Sequence, residues 1–456
     1  MDNSGRNVTP GGFLPAGLFS EAVAANPFPL FAQLREAGAV VAMPLPVGPG
    51  GPSAWMVTRL EEAVQALKNQ LFTVDPLTIS SNDDQPSSPR GLGGGGILGG
   101  LLGHSMIAVD EPDHRRLRSL VSKAFTPKYI QSLRPRIQRI ADELVDRVQD
   151  QGRLDLVNGY AFPLPINVIS NMLGVPSEGQ ALIREWSELF SGGAARQEET
   201  SRIVLTRTFA EYLVQLIAEK RAHPQDDLIS QLVQIEEAGD RLDEDELLSM
   251  IALLIFAGHE TTSNLIGNGM LMLFDNPAQF QRLKADLSLV PTAVEEFLRY
   301  NGPVLSPAPR YATEDVILGG QQIRKGDMVL TVLGSANHDE SQFTQPEELD
   351  IARSLNRHVA FGQGIHVCLG APLARLEGDI AFTTLLRRLP QVRLAIPRNA
   401  VKWRGNFTLH GISSLPVTFH SFEIQQRAFC LSSCQKESEE RRSEYHVSRL
   451  AARSSV

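Results

Sequence analysis

Phe361-Gly362-Gln363-Gly364-Ile365-His366-Val367-Cys368-Leu369-Gly370 holds the first of only three cysteines in the chain, and a helical pattern opens directly after it. Three glycines surround the thiol. Glycines permit tight-turn backbone angles and let a flat ligand lie against the main chain. A cysteine at a helix N-terminus is biased towards thiolate, because free N–H groups and the helix dipole favour negative charge there. Thiolate is the form that ligates metal. From these residues alone, Cys368 is either a metal ligand or a small buried hydrophobe in a glycine-rich turn.

All ten residues fit the pattern F-G-x-G-x-H-x-C-x-G, and the match runs on through Ala371-Pro372-Leu373-Ala374-Arg375-Leu376-Glu377. The stretch resembles the haem-ligand loop of the cytochrome P-450 family, in its soluble bacterial members. The resemblance implies haem b held by Cys368, with Phe361, Gly362, His366 and Gly370 against the porphyrin. It also implies a mainly α fold with small β-sheets, the single-domain triangular fold of that family, over residues 20–420. Residues 1–19 form an N-terminal segment, and 421–456 read as a polar, disordered extension. Cys430, Cys434 and His446 lie in that extension, short of the four ligands a structural zinc site needs.

Bulk properties are those of an ordinary soluble globular protein. Hydrophobic residues make up 42% and charged residues 21% of the 456. A net charge of −9 gives no nucleic-acid footprint. Three cysteines build no disulfide framework, which fits a reducing compartment. The start, MDNSGRN, has neither the basic nor the apolar segment of a signal peptide. The apolar run Met250–Phe256 falls far short of the ~20 residues that span a bilayer. The expectation is a cytoplasmic protein with no membrane anchor.

Helical periodicity dominates from about Asp113 to Asp275, then over Thr292–Tyr300 and Pro372–Leu389. Short strand-like pieces lie at Ala54–Thr58, Val316–Leu318, Met328–Val332, Val392–Ile396 and Leu415–Phe419. Many helices with few strands argue an α-dominated domain. Gly91, Gly93 and Gly96, with Asp110 downstream, form a formal dinucleotide fingerprint. It neither follows a strand nor opens a helix, so a loop is the better reading.

One helix is expected to begin near Asp243, with Glu246 completing a capping box, and to stop before Pro277. In its middle lies Ala257-Gly258-His259-Glu260-Thr261-Thr262. Glycine and paired threonines are poor helix chemistry, and such disagreement marks either a functional site or a polar turn on a surface face. The hexad resembles the family's oxygen-activation motif. By that resemblance Ala257 and Gly258 leave room for O2, while Glu260 and Thr261 relay protons as the catalytic acid–alcohol pair.

Glu296 and Arg299 share a helix face. Alone they read as a solvated salt bridge. The resemblance joins them to Arg353 as a structural brace beside the haem loop. It also places His114, Arg118, Arg310 and His366 at the haem propionates, where the bland alternative for the first two is a solvated basic helix. Leu101, Leu102, Leu254, Val304, Leu305 and Leu409 would line an aliphatic pocket with Ala257, suiting a polyketide, fatty acid, terpenoid or steroid. Arg116, Lys123 and Lys128 would offer a positive face to an acidic ferredoxin or flavodoxin served by an NAD(P)H reductase. The polar segment Ser191–Glu199 is a candidate lid. Two rivals to a monooxygenase are a peroxide-dependent enzyme of the same fold and a haem sensor or electron carrier using His259 as second axial ligand.

Overall fold

The computed structural model describes residues 23, 25–43, 53–79, 97–188, 199–234, 242–405 and 408–420. The glycine fingerprint, the candidate lid over 191–198 and the cysteines and histidine of the tail lie outside them.

The organising element is one unbroken helix, Glu244–Asp275, about 48 Å long at ~1.5 Å per residue. Its start obeys the capping rule. Asp243 accepts from Glu246 N, and the Glu246 side chain accepts from Asp243 N, so two orphan donors are satisfied reciprocally. It stops at Asn276, before Pro277. Twenty-two of its residues are buried, so most of its circumference faces protein. It packs most extensively on Pro163–Leu173, and also touches Val290–Asn301, Ala371–Arg388 and the strand His410–Ile412. These neighbours bury the large apolar core.

Beside the helices lies a five-stranded sheet in the order Val40–Met43, Ala54–Val57, Met328–Thr331, Arg310–Ala312, Phe72–Thr73. Only the second and third of these strands pair in parallel. A hairpin, Trp403–Gly405 with His410–Ile412, lays Gly411 against Asn264 of the central helix. A three-stranded sheet joins Arg153–Asp155, Pro416–Thr418 and Arg393–Leu394. Among the described residues no helix is long and apolar enough to cross a membrane.

Glu296 is the hub that fixes the segment before the cysteine loop. Arg299 binds it bidentately, Nε to Oε2 at 2.8 Å and Nη2 to Oε1 at 2.8 Å. Arg353 Nε donates at 3.0 Å, Asn356 Nδ2 at 3.1 Å and Asp350 N at 3.0 Å. The remaining guanidinium N–H groups donate to the carbonyls of Asn337, Thr344, Gln345, Pro346 and Glu348. Glu296 and Arg299 are fully buried, so this is no solvated helix salt bridge.

Candidate active site

The cysteine loop is a set of tight turns closed by main-chain bonds. Cys368 N donates to Phe361 O and Val367 N to Gly364 O. Gly364 holds φ +76°, and a Cβ there would lie 2.3 Å from the Leu67 carbonyl oxygen. A side chain at this position meets both a left-handed backbone and rigid main chain. Gly364→Ala is therefore expected to lower the unfolding free energy by about 2 kcal/mol or more. Urea denaturation measures it, and a loss under about 0.5 kcal/mol would contradict the packing described.

The expected thiolate bias of Cys368 is only half met. Burial dominates and pushes the thiol up. N–H groups of Gly370 and Ala371, at the start of Ala371–Arg388, do donate to the sulfur and favour the anion, as do Arg118 and Arg375, but they are outweighed. Cys368 nonetheless keeps solvent-accessible surface. Both statements hold if that surface opens onto a hollow inside the fold, where protein atoms crowd the sulfur and bulk water does not reach it.

Four of the residues expected at the propionates come together around this loop. Helix Asp113–Ser122 carries His114 and Arg118 one turn apart, strand Arg310–Ala312 carries Arg310, and the loop carries His366. The His114 and His366 rings meet with centroids 4.4 Å apart. His114 is buried, and neither ring nitrogen has a hydrogen-bond partner. Burial, then repulsion from His366 and Arg118, pulls its pKa down to about 4, so it is a neutral imidazole at pH 7. Arg310 is buried, its guanidinium destabilised by desolvation and helped by Asp110. Arg118 is likewise lowered by desolvation, with Cys368 opposing. A buried cation, Arg310, a half-buried one, Arg118, and an orphaned imidazole call for anionic or accepting partners. Two carboxylates of a haem would supply them, so the donor set fits that cofactor.

On the central helix, exposure singles out a patch. Ala257 is exposed and Phe256, Gly258 and Thr261 are half-buried, within a run that is otherwise buried from Ser249 to Leu273. Such a patch marks where the helix surface is left uncovered by its neighbours. Gly258 is a correction: its missing Cβ faces Ile169, which a side chain would meet at 2.8 Å, so it serves close packing on Pro163–Leu173 and leaves the opening to Ala257. Thr261 Oγ1 donates to Ala257 O at 3.1 Å. Glu260 is turned the other way. It is fully buried, with Arg404 Nη2 at 3.4 Å and Asn264 Nδ2 at 3.3 Å from Oε1, and no partner on Oε2. Acid and alcohol are adjacent in sequence but divergent in space. His259 is also turned away: Nδ1 is 2.6 Å from Ile255 O, and the ring meets Phe162 edge-on. It is not presented to the Ala257 side as an axial ligand.

The expected pocket lining divides. Val304 is half-buried and bridges Leu409, and Leu101, Leu254 and Leu409 keep slight exposure. Leu102 is fully buried in the main core. Leu305 is a second correction, because it packs with Phe31 in a separate cluster across the sheet. Arg116 is a third. It binds Glu246 through both Nη atoms and Asp113 at 3.2 Å, so its charge is largely neutralised, leaving Lys123 and Lys128 exposed. Sequence reading also missed Arg404 as the partner of Glu260, and Glu377, whose carboxyl burial raises to about 8. Arg404 had no motif to reveal it, since strand pairing alone brings it to the helix.

Similarity to known proteins runs along most of the chain. Residues 166–391 match the family model of cytochrome P450. The chain is 46% identical over 372 residues to cytochrome P450 CYP107DY1 of Priestia megaterium, covering 81% of this chain and 90% of that protein. The structure of the Bacillus subtilis bacillaene polyketide synthase cytochrome P450 PksS superposes with a TM-score of 0.79 at 39% identity, over 87% of this chain and 98% of that one. The tirandamycin C-bound P450 monooxygenase TamI gives 0.79 at 40% identity, over 88% and 98%. With that similarity running nearly the full length of the relatives, and the cysteine loop, the propionate-type cluster and the Ala257 patch in one fold, the chain belongs to the cytochrome P450 family and is a haem-dependent monooxygenase.

Proposed function

We propose that this monooxygenase, a single catalytic domain over residues 20–420, inserts oxygen into an unactivated carbon of an apolar small molecule of polyketide type or similar, by hydroxylation or epoxidation. The observation that carries this reading is the exposed Ala257 patch of the central helix, which the partly exposed aliphatic Leu101, Leu254, Val304 and Leu409 would line. PksS and the tirandamycin C-bound TamI support the substrate class.

Haem b would be held by Cys368, with His114, Arg118, Arg310 and His366 as partners for its carboxylates, and would supply O2 binding and activation. The chain's own residues do the rest. Ala257 offers the small side chain that leaves room beside the cofactor. The Thr261 hydroxyl, bonded to Ala257 O at 3.1 Å, can swing to donate a proton while accepting another. Glu260 supplies the carboxylate that replenishes it, after turning from Arg404. The aliphatic lining excludes water from the reacting carbon. Electrons come from a separate redox protein, and the exposed Lys123 and Lys128 suit an acidic ferredoxin or flavodoxin.

Thr261→Ala tests the proton route. Product formed per NAD(P)H is expected to fall ~10-fold or more, with the balance appearing as hydrogen peroxide. Full coupling in the variant would remove Thr261 from the relay. A compound screen reading the visible spectrum tests the substrate class: apolar polyketide-like molecules should shift it, and a response confined to polar compounds would refute the class.

A further inference from the structure

Asp110 stands out in the sequence only as the acid of a nucleotide fingerprint that lacks its context. In the structure its carboxylate joins three segments. Oδ2 accepts from Thr73 Oγ1 at 2.6 Å and from Val74 N at 2.8 Å, at the edge strand of the five-stranded sheet. Oδ1 accepts from His366 Nε2 at 3.1 Å, in the cysteine loop. Asp110 itself sits three residues before helix Asp113–Ser122, and its carbonyl accepts from His114 N. Among the described residues the bond to His366 is the only side-chain hydrogen bond tying residues 361–370 to another part of the chain. The loop is otherwise held by main-chain turns, the sulfur's bonds to Gly370 and Ala371, van der Waals packing and ring contacts such as Arg375 over Phe361. A glycine-rich loop closed largely on itself has little to fix its register against a neighbouring helix. Three acceptor contacts on one carboxylate supply that register. Burial alone would raise this carboxyl, yet the contacts, His366 foremost, hold it down at about 2.

We propose that Asp110 is a positioning residue for haem retention: by holding His366 Nε2 it locks the cysteine loop against the helix that carries His114 and Arg118. The outer partner of a ligand-orienting side chain commonly changes cofactor or metal affinity by 10–100-fold when removed. The inference rests on the haem reading above but is separable from it. The test is the rate at which haem-loaded protein surrenders haem to excess apomyoglobin, which needs no turnover.

Asp110→Ala is expected to speed haem loss ~10–100-fold. In a His366→Ala background the same change should add less than about threefold, because both substitutions cut one link. Thr73→Val removes one of the two strand-side bonds to Asp110, with the local turn bonds of Thr73 to Asp75 and Thr78, but leaves His366 held, and should stay within about threefold of the parent. Asp110→Asn serves if the alanine variant does not fold, with faster loss again expected, since an amide cannot accept from Thr73 and Val74 on one atom while also accepting from His366 on the other. An Asp110 variant that loses haem within about twofold of the parent rate, or an effect undiminished when His366 is already gone, overturns the proposal. A parent chain that takes up no haem would instead overturn the cofactor reading, and this inference with it.

Discussion

Glu296→Ala should cost about 3–5 kcal/mol of folding free energy, a large fraction of what holds a typical domain together. Removing the carboxylate leaves Arg299 buried with no counter-charge and deprives Arg353, Asn356 and the Asp350 amide of an acceptor. The loss is asymmetric. An intact buried pair contributes little net stability, but an orphaned buried guanidinium keeps its full desolvation cost. Glu296→Gln keeps the shape and one acceptor oxygen, so its penalty should be smaller but still above about 1.5 kcal/mol. Urea unfolding of the purified proteins measures both. A Glu296→Ala variant within about 1 kcal/mol of the parent would mean that the five carbonyls around the two arginines carry the brace unaided.

Local chemistry made the skeleton legible. The capping box at Asp243 and the stop at Pro277 placed the central helix to within a residue, because caps are short-range events. The helix expected after the cysteine loop is there, but the expectation that the glycine fingerprint opens no helix fails, since Ile97–Leu102 is helical directly after Gly96. What escaped was set by partners distant in sequence. Strands Val40–Met43, Phe72–Thr73 and Arg310–Ala312 are too short to show a period of two, and exist because neighbours pair with them. Gly258 looked like space for a ligand, yet only the fold reveals Ile169 against it. Arg116 looked like a docking charge until Glu246, 130 residues away, is seen to hold it. Glu260 and Thr261 are consecutive, so they lie ~100° apart around the helix, and only one of them can face the Ala257 side squarely. That geometry was implicit in the sequence; the identity of the cation on the far side, Arg404, was not.

Cys368→Ser is expected to abolish the strongly red-shifted Soret band that a ferrous carbonyl shows opposite thiolate, and with it the monooxygenase activity. The structure explains why no neighbour can substitute. Arg118 and Arg375 are cations, and Cys368 is the only cysteine among the described residues. His366 is held through Nε2 by Asp110. His114 lies beyond His366 in the propionate-type cluster. Serine keeps the size and the N–H donors of Gly370 and Ala371, but replaces a soft, polarisable sulfur with a hard hydroxyl that stays protonated. Burial already pushes the native thiol up, and an iron held there would favour its thiolate, as a metal does for coordinating thiols generally. An alcohol starts several units higher and does not cross that gap. The variant should fold with a stability within about 1 kcal/mol of apoprotein controls, because the loop's main-chain turns do not involve the side-chain atom. Retention of the red-shifted band in a folded Cys368→Ser protein would show that another group ligates the iron, and the assignment of the whole site to this loop would fall.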